Sequence, residues 1–199
     1  MTALPLSKHI LIAGFAGLIL LVPACSKGAD TDEPVIIEMS ELIEKDAVTY
    51  TLASDTAFTG KAVETYENGA LKSESFYEEG RRNGLRRDYH ENGALSFTVT
   101  YIKGNYDGQL ETYYENGQLN GRETYANGVL LTVETYYKNG QLKEKGQYNE
   151  AGETGEWEYH FENDTGKMVL IYRDGVLESA TCYDASGQVD NSLPDCSAY

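Results

Sequence analysis

The chain has 199 residues and a formal net charge of −16, with 20 Gly and 16 Tyr but only five Phe and one Trp. This acidity disfavours a nucleic-acid ligand, which Lys and Arg must neutralise, and it disfavours loose binding to an anionic membrane surface. Because Tyr buries its ring while the hydroxyl stays near water, the composition indicates a thin structure with few fully buried positions.

The amino terminus is typical of an export signal. The apolar run Ile10–Val22 follows Lys8 and has about 13 residues, whereas a membrane-spanning helix needs roughly 20. The run leads into Leu21–Cys25, which resembles the lipobox of bacterial lipoproteins: an aliphatic residue stands three positions before the Cys and a small residue directly before it. The resemblance implies that residues 1–24 are a lipoprotein signal peptide and that Cys25 becomes an acylated amino terminus. An ordinary signal peptide with an incidental Cys is the alternative.

Residues 25–40 are predicted to form the lipid anchor and a flexible tether, since Lys27–Pro34 is polar and acidic with no periodic apolar pattern. In enteric-type sorting, which the lipobox resemblance brings with it, a Ser at the position of Ser26 releases a lipoprotein to the outer membrane. We therefore expect a lipid-anchored protein of the bacterial cell envelope, located at the outer membrane in a two-membrane cell.

The rest of the chain repeats one six-residue pattern. Its clear copies are Tyr66–Leu71, His90–Leu95, Tyr114–Leu119 and Tyr137–Leu142. Their Asn-Gly pairs are 24, 24 and 23 residues apart. A fifth copy with a longer turn covers Phe161–Gly166, and a partial sixth covers Tyr183–Val189. A fixed period over this many copies indicates a repeat architecture.

Each copy is predicted to be a β-hairpin. Asn-Gly between strand-like segments is typical of a two-residue type I′ turn, which would pair Tyr66 with Leu71 on one face. The tyrosines six residues after each Leu should share that face, because strand side chains alternate with a period of two. They are Tyr77, Tyr101, Tyr125 and Tyr148. One hairpin alone is marginally stable, so stability should reside in the stacked row.

These copies resemble the variant MORN repeat, whose consensus reads much like Tyr-Tyr-Glu-Asn-Gly-Gln-Leu, over about residues 48–190. The resemblance implies an all-β fold: an elongated antiparallel meander of about five hairpin repeats plus end caps, in a domain covering residues 41–199. Bacterial proteins of this kind are grouped as YwqK-like antitoxins of toxin–antitoxin systems. The name of that group reflects a proposed role as the protective partner of a toxin.

Two cysteines lie at the far end of the array. If Cys25 carries lipid, Cys182 and Cys196 remain as an even pair in an oxidising compartment. We expect a disulfide between them that closes the carboxyl-terminal cap, and two free thiols are the alternative. Closing a loop of this size contributes about 3 kcal/mol in the chain-entropy account.

The sequence contains no pattern typical of an enzyme. His90 occupies the Tyr column of its repeat and His160 lies in a predicted strand, so both are interpreted as strand residues. Asn149–Glu158 and Glu162–Gly166 come nearest to a calcium loop, but neither has the required spacing of carboxylates. No nucleophile elbow and no phosphate-binding glycine loop is found. We therefore expect a non-enzymatic protein without a cofactor or a metal.

A possible binding surface follows from the alternation of side chains along the strands. Tyr89, Tyr113 and Tyr136 adjoin the core column, so their rings should point to the opposite face and form an exposed aromatic ladder. The sequence thus predicts a lipid-anchored envelope protein whose repeat sheet serves as a protein-binding or scaffold surface for an unidentified protein partner. The alternative is a cell-wall or glycan-binding module that uses the Tyr ladder.

Overall fold

The computed structural model describes residues 34–190, which contain fourteen strands and two single-turn 3-10 helices. The strands are β1 Ile36–Glu38, β2 Leu42–Lys45, β3 Val48–Thr51, β4 Gly60–Thr65, β5 Leu71–Glu78, β6 Arg81–Tyr89, β7 Leu95–Ile102, β8 Asn105–Tyr113, β9 Leu119–Ala126, β10 Val129–Tyr136, β11 Leu142–Asn149, β12 Gly152–His160, β13 Gly166–Arg173 and β14 Val176–Asp184. The 3-10 helices are Met39–Glu41 and Glu162–Asp164.

Twelve of these strands form one sheet in the order β1-β4-β5-β6-β7-β8-β9-β10-β11-β12-β13-β14. From β4 to β14 each strand pairs antiparallel with the next, which confirms the predicted all-β meander. β1 adds to β4 in parallel, although Ile36–Glu38 lie in the segment predicted as tether, so the fold begins before residue 41. β2 and β3 form a separate hairpin.

The predicted type I′ geometry of the Asn-Gly turns is wrong. Tyr66 N–H donates to Ala70 O and Gly69 N–H donates to Tyr66 O, which encloses a three-residue loop in which only Gly69 has positive φ. This is a type I turn followed by a glycine bulge. Leu71 consequently lies opposite Thr65, and the side chain of Asn68 accepts a hydrogen bond from Ala70 N–H. The same loop recurs in the next three copies.

Type I′ turns occur at the other end of the strands. Between β5 and β6, Glu79 and Gly80 both have positive φ, as the two-residue turn requires. The equivalent pairs at the later turns are Lys103-Gly104, Asn127-Gly128 and Asp174-Gly175. From β4 to β11, two turn types therefore alternate along the meander, one type at each end of the hairpins. The β11–β12 turn differs, since neither Glu150 nor Ala151 has positive φ.

Consecutive hairpins are joined at both ends. At the Asn-Gly end, the Tyr66 hydroxyl donates to Tyr89 O at 2.6 Å, and the equivalent bonds run from Tyr114 to Tyr136 O and from Tyr137 to His160 O. At the type I′ end, the second turn residue donates its N–H to the preceding hairpin, as from Gly104 to Arg82 O. Each repeat is thus stabilised chiefly by its neighbours in the row.

The sheet has two chemically different faces. Side chains directly opposite one another share a face, and adjacent residues in a strand lie on opposite faces. One face, called the aromatic face, carries the predicted Tyr column, Trp157 and most of the buried apolar residues. Its buried residues form three clusters, centred on Phe58, Ala62 and Tyr77, on Val99, Tyr101 and Leu110, and on Trp157, Met168, Leu170 and Cys182. The other is called the charged face.

The amino-terminal cap lies against the first repeat. Thr49 N–H donates to Gly80 O, and Gly80 N–H donates to Phe58 O. A Cβ on Gly80 would lie 2.4 Å from a Val48 methyl carbon, so the cap approaches this turn too closely for any other residue. Residues before the first Asn-Gly copy are therefore an integral part of the fold.

Candidate functional site

A single row of residues crosses the charged face from strand to strand. In the observed register, Glu74 lies opposite Arg87, and the row continues through direct partners to Glu158. Its members are Glu74, Arg87, Thr98, Glu111, Arg122, Glu134, Lys145 and Glu158. Charges alternate in sign except at Thr98, and Lys61 and Lys167 extend the row at its two ends. We call this the charge row.

Ion pairs connect the members of the charge row. Arg122 contacts Glu111 at 2.9 Å and Glu134 at 3.4 Å, and thus links three strands. Glu74 accepts from Lys61 at 2.5 Å and from Arg87 at 3.0 Å. Most of the basic partners are a third or more exposed, so each ion pair alone contributes little to the stability of the fold. Several charges in one network nevertheless hold neighbouring strands in register.

Glu158 is the most strongly perturbed carboxylate of the charge row. Its side chain is 11% exposed and lies between Lys145 Nζ at 2.7 Å, His160 Nε2 at 2.9 Å and Lys167 Nζ at 3.1 Å. Burial alone would raise the pKa of this carboxyl, but the hydrogen bonds from Lys145, Lys167 and His160 outweigh it and lower the pKa to about 2. Glu158 is therefore a structural anion at neutral pH, not an acid–base group.

The predicted ladder residues Tyr89, Tyr113 and Tyr136 lie beside this row, at the last position of β6, β8 and β10. Each hydroxyl donates to a carboxylate of the row: to Glu74 at 3.2 Å, to Glu111 at 2.6 Å and to Glu134 at 2.8 Å, respectively. Burial and the hydrogen bond to Glu111 raise the pKa of Tyr113 to about 12.

The structure modifies the ladder in two ways. The three rings point away from the aromatic face, as predicted, but they are half-buried rather than exposed, because their hydroxyls are held by the carboxylates. Furthermore, His160 occupies the equivalent place at the end of β12 and hydrogen-bonds to Glu158. The sequence predicts His160 only as a strand residue, but its position two residues after Glu158 matches that of Tyr113 after Glu111.

Together, the ladder and the charge row form a repeated, half-exposed surface. Ladder positions recur on alternate strands, so they are about 10 Å apart at the usual strand spacing. The row, with Lys61 and Lys167 included, has five basic and four acidic members, whereas the whole chain has 16 basic and 32 acidic residues. The acidic excess of the protein therefore lies away from this surface.

Two of the predicted covalent sites lie wholly or partly outside the described residues. Cys25 and its surroundings are not among them, so lipidation stays a prediction. Cys182 is 2% exposed in the last cluster of the aromatic face and is not a free thiol. Its predicted partner Cys196 lies outside the described residues, so this pairing also stays a prediction.

No cluster of three or more His, Cys, Asp or Glu side chains within residues 34–190 is arranged to hold a metal ion. No helix in the same range has the length and apolar character that a bilayer crossing requires. His90 Nε2 donates to Tyr113 O, 2.9 Å away, and so takes the place that a Tyr hydroxyl has in the other repeats.

Three segments of the chain match the sequence model of the family described as the MORN repeat variant: residues 82–103, 106–127 and 131–150. Each segment corresponds to one hairpin with a central Asn-Gly turn, namely β6–β7, β8–β9 and β10–β11. These three hairpins are therefore similar in sequence to the variant MORN repeat. The hairpins β4–β5 and β12–β13 continue the same meander on either side.

None of the curated proteins matches this chain. Among solved structures, the GtfA/B complex bound to UDP and GlcNAc is similar with 14% identity and a TM-score of 0.29 over 80% of this chain and 28% of that one. A structure of accessory secretory proteins 1, 2 and 3 from Streptococcus pneumoniae is similar with 12% identity and a TM-score of 0.26 over 72% of this chain and 22% of that one. The present chain thus spans about a quarter of those chains.

Proposed function

We propose that this protein is a non-enzymatic binding or scaffold protein of the bacterial envelope, tethered by lipid on Cys25, whose charged face contacts a protein partner. The variant MORN repeats favour a repeat-based binding or scaffold role in general. The choice of the charged face rests on one observation: matched aromatic and charged side chains recur on successive hairpins at half-exposed positions.

The arrangement of this face suits a protein partner. Half-buried Tyr rings offer apolar contact area with little loss of conformational entropy on binding, and Tyr and Arg are enriched at protein interfaces. The ladder hydroxyls are already fixed by Glu74, Glu111 and Glu134, so the rings are preorganised. Because the row is nearly neutral, the contact should depend on shape more than on long-range attraction.

The envelope location rests on the sequence of the amino terminus. The lipobox-like segment before Cys25 and the disulfide proposed for Cys182 and Cys196 both favour an exported protein. In this arrangement the domain is anchored at its amino-terminal end and closed by a covalent link at the other end. The antitoxin role that the YwqK-like grouping implies is one form of this proposal, in which the partner is a toxin.

The test is affinity capture of the full-length lipidated protein from its own membranes, compared with a variant in which Tyr89, Tyr113 and Tyr136 are all replaced by Ser. We expect the variant to remain folded and to lose most of the partner retained by the wild-type protein, about tenfold or more, since aromatic residues dominate interface energies. A partner captured equally well by the variant would exclude the charged face as the contact surface.

A matched control replaces Glu67, Glu91 and Glu115 by Ser. These are exposed turn residues with nearly the same repeat spacing as the ladder, but they lie in the Asn-Gly loops. Capture should be unchanged in this control. Circular dichroism and thermal unfolding of both variants separate loss of contact from loss of fold.

The glycan-binding alternative has a supporting observation, since the ladder rings are half-exposed at regular spacing and aromatic rings can stack on sugars. It is distinguished in the same experiment by sedimentation of the protein with purified peptidoglycan. Cosedimentation that depends on the three ladder tyrosines would replace the protein partner with the cell wall.

A further inference from the structure

We propose that Arg82, on the aromatic face, is the centre of a binding site for the carboxylate group of a ligand. The site lies on the opposite face of the sheet from the ladder and is independent of the function proposed above. It would exist whether or not the charged face binds a protein.

The guanidinium of Arg82 is held between two aromatic rings. Its Cζ lies over the Tyr77 ring at 5.5 Å from the centroid and over the Tyr101 ring at 5.7 Å. Both rings belong to buried residues, with 6% and 7% exposure, so the position of the guanidinium is fixed by the core. Cation–π contacts of this kind stabilise the charge without using its N–H donors.

Those donors are not satisfied by the protein. Nε of Arg82 is fully buried and has no hydrogen-bond partner, and no ion pair is formed by this side chain within residues 34–190. Because Nε offers no exposed surface, a carboxylate would bind end-on, through the two terminal Nη groups and their N–H donors.

The other arginines on these strands are paired differently. Arg86 forms two bonds with Asp88, and Arg87 and Arg122 bind Glu74 and Glu111. In a chain with 32 acidic residues, leaving one half-buried arginine without a carboxylate is an exception. The protein itself therefore supplies the charge partner at the comparable arginines but leaves that of Arg82 open.

Arg82 lies in a depression where three turns meet. Its lining includes Arg81, which follows one type I′ turn, Lys103 and Gly104 from the next such turn, and Glu44 and Ala47 from the β2–β3 hairpin. Two further cations and one carboxylate thus surround Arg82, and Glu44 forms no ion pair with either arginine. The local charge is positive in a protein whose net charge is −16.

The geometry of the clamp selects the ligand chemistry. The Tyr77 and Tyr101 ring centroids lie 5.5 and 5.7 Å from Cζ, so the rings limit the directions from which a ligand can approach the guanidinium. A carboxylate is planar and matches the guanidinium fork with two parallel hydrogen bonds. A planar carboxylate needs less room beside the rings than a tetrahedral anion does.

The test uses the full-length protein and two small probes, N-acetylglycylglycine and its amide, which differ only in the carboxylate. The arginine Nε–H signals are followed by NMR during titration, and the burial of Arg82 Nε should make its signal slow to exchange and observable. We expect the acid to shift the Arg82 signal in a saturable manner and the amide to leave it unchanged. The Arg122 signal, whose partner is Glu111, should move with neither probe.

Variants strengthen the test. R82K keeps the charge but loses the planar fork, and it should weaken binding of the acid at least about fivefold; R82Q should abolish binding. The wild-type titration decides the question even if a variant fails to fold. Equal responses to acid and amide, an unsaturated shift shared by Arg81 and Arg173, or inorganic phosphate binding as tightly as the acid would each overturn the proposal.

Discussion

Trp157 and Glu158 are neighbours in β12, yet they represent two different ways of holding the sheet together. Trp157 points to the aromatic face, is 2% exposed and contacts the rings of Tyr148, Tyr159 and Tyr172. Glu158 points to the charged face, where it binds Lys145, Lys167 and His160. The first is stabilised by burial and dispersion, the second by charge.

The two faces should therefore respond to different conditions. Apolar burial on the aromatic face is insensitive to pH and is not weakened by salt. The charge row is partly exposed, so salt screens it, and it depends on the ionisation of its carboxylates. A sheet with both kinds of face can keep its core constant while the surface offered to a partner varies with the medium.

The largest effect is expected on the aromatic face, for Trp157→Ala. Removal of this ring leaves a cavity among Met168, Leu170 and Cys182, and such a change in a core costs about 3–5 kcal/mol. The loss should be independent of pH between 5 and 8. Denaturant unfolding followed by circular dichroism measures it.

A matched change distinguishes packing from other roles of this residue. Trp157→Phe keeps an aromatic ring but loses the hydrogen bond from Nε1 to Gln147 O, so it should cost less than half as much. The Trp157 ring packs directly on the backbone of Gly146, since a Cβ added to Gly146 would lie 2.1 Å from Trp157 Cδ2. If Trp157→Ala costs under 1 kcal/mol, the aromatic face does not hold the carboxyl-terminal repeats together.

A smaller, pH-dependent effect is expected on the charged face, for Glu158→Gln. The folded-state pKa of Glu158 is about 2, below its usual 4.5, so its ion pairs stabilise the fold above pH 4.5 and are lost as the pH falls towards 2. The shift corresponds to at most about 3 kcal/mol, and screening at the half-exposed Lys145 reduces this to about 1–2 kcal/mol.

The comparison is made by measuring unfolding free energies of the wild-type protein and the variant from pH 7 down to pH 3. The wild-type value should fall more steeply with acid than that of Glu158→Gln, and the two curves should approach each other. In 1 M salt the difference at pH 7 should shrink, because the Debye length falls to about 3 Å. Parallel curves would show that Glu158 does not stabilise the sheet by charge.

The sequence predicts the aromatic face better than it predicts the charged face. The 24-residue period and the regular spacing of Tyr77, Tyr101 and Tyr125 predict the meander and the aromatic face, because strand periodicity alone places these rings. The turn type was not predictable from Asn-Gly, which suits both a type I′ turn and the bulged loop that forms around Gly69.

The sequence does not predict the charge row, because the local geometry that sets its register cannot be recognised from the sequence. Its members are separated alternately by longer and shorter intervals, since a bulge in each hairpin shifts the register, as between Ser75 and Tyr77. A sequence pattern without those bulges pairs the wrong residues. The one available signal was that Glu111 and Glu134 each stand two residues before a ladder Tyr, which would have indicated a shared face.

The smallest effect on stability is expected for a hydrogen bond that occurs on both faces, so it allows the most direct comparison between them. Tyr113 donates to Glu111 on the charged face and Tyr125 donates to Glu123 on the aromatic face, each at 2.6 Å. Replacement of either Tyr by Phe removes one hydrogen bond to a carboxylate at a half-exposed position and should cost about 1 kcal/mol. The hydrogen bond from Tyr113 is the main cause that lowers the pKa of Glu111, so Tyr113→Phe should raise that pKa towards its usual value. Carboxyl NMR titration of Glu111 measures this, and Tyr125→Phe should leave it unchanged; a response to Tyr125→Phe would mean that the two faces are coupled through the sheet.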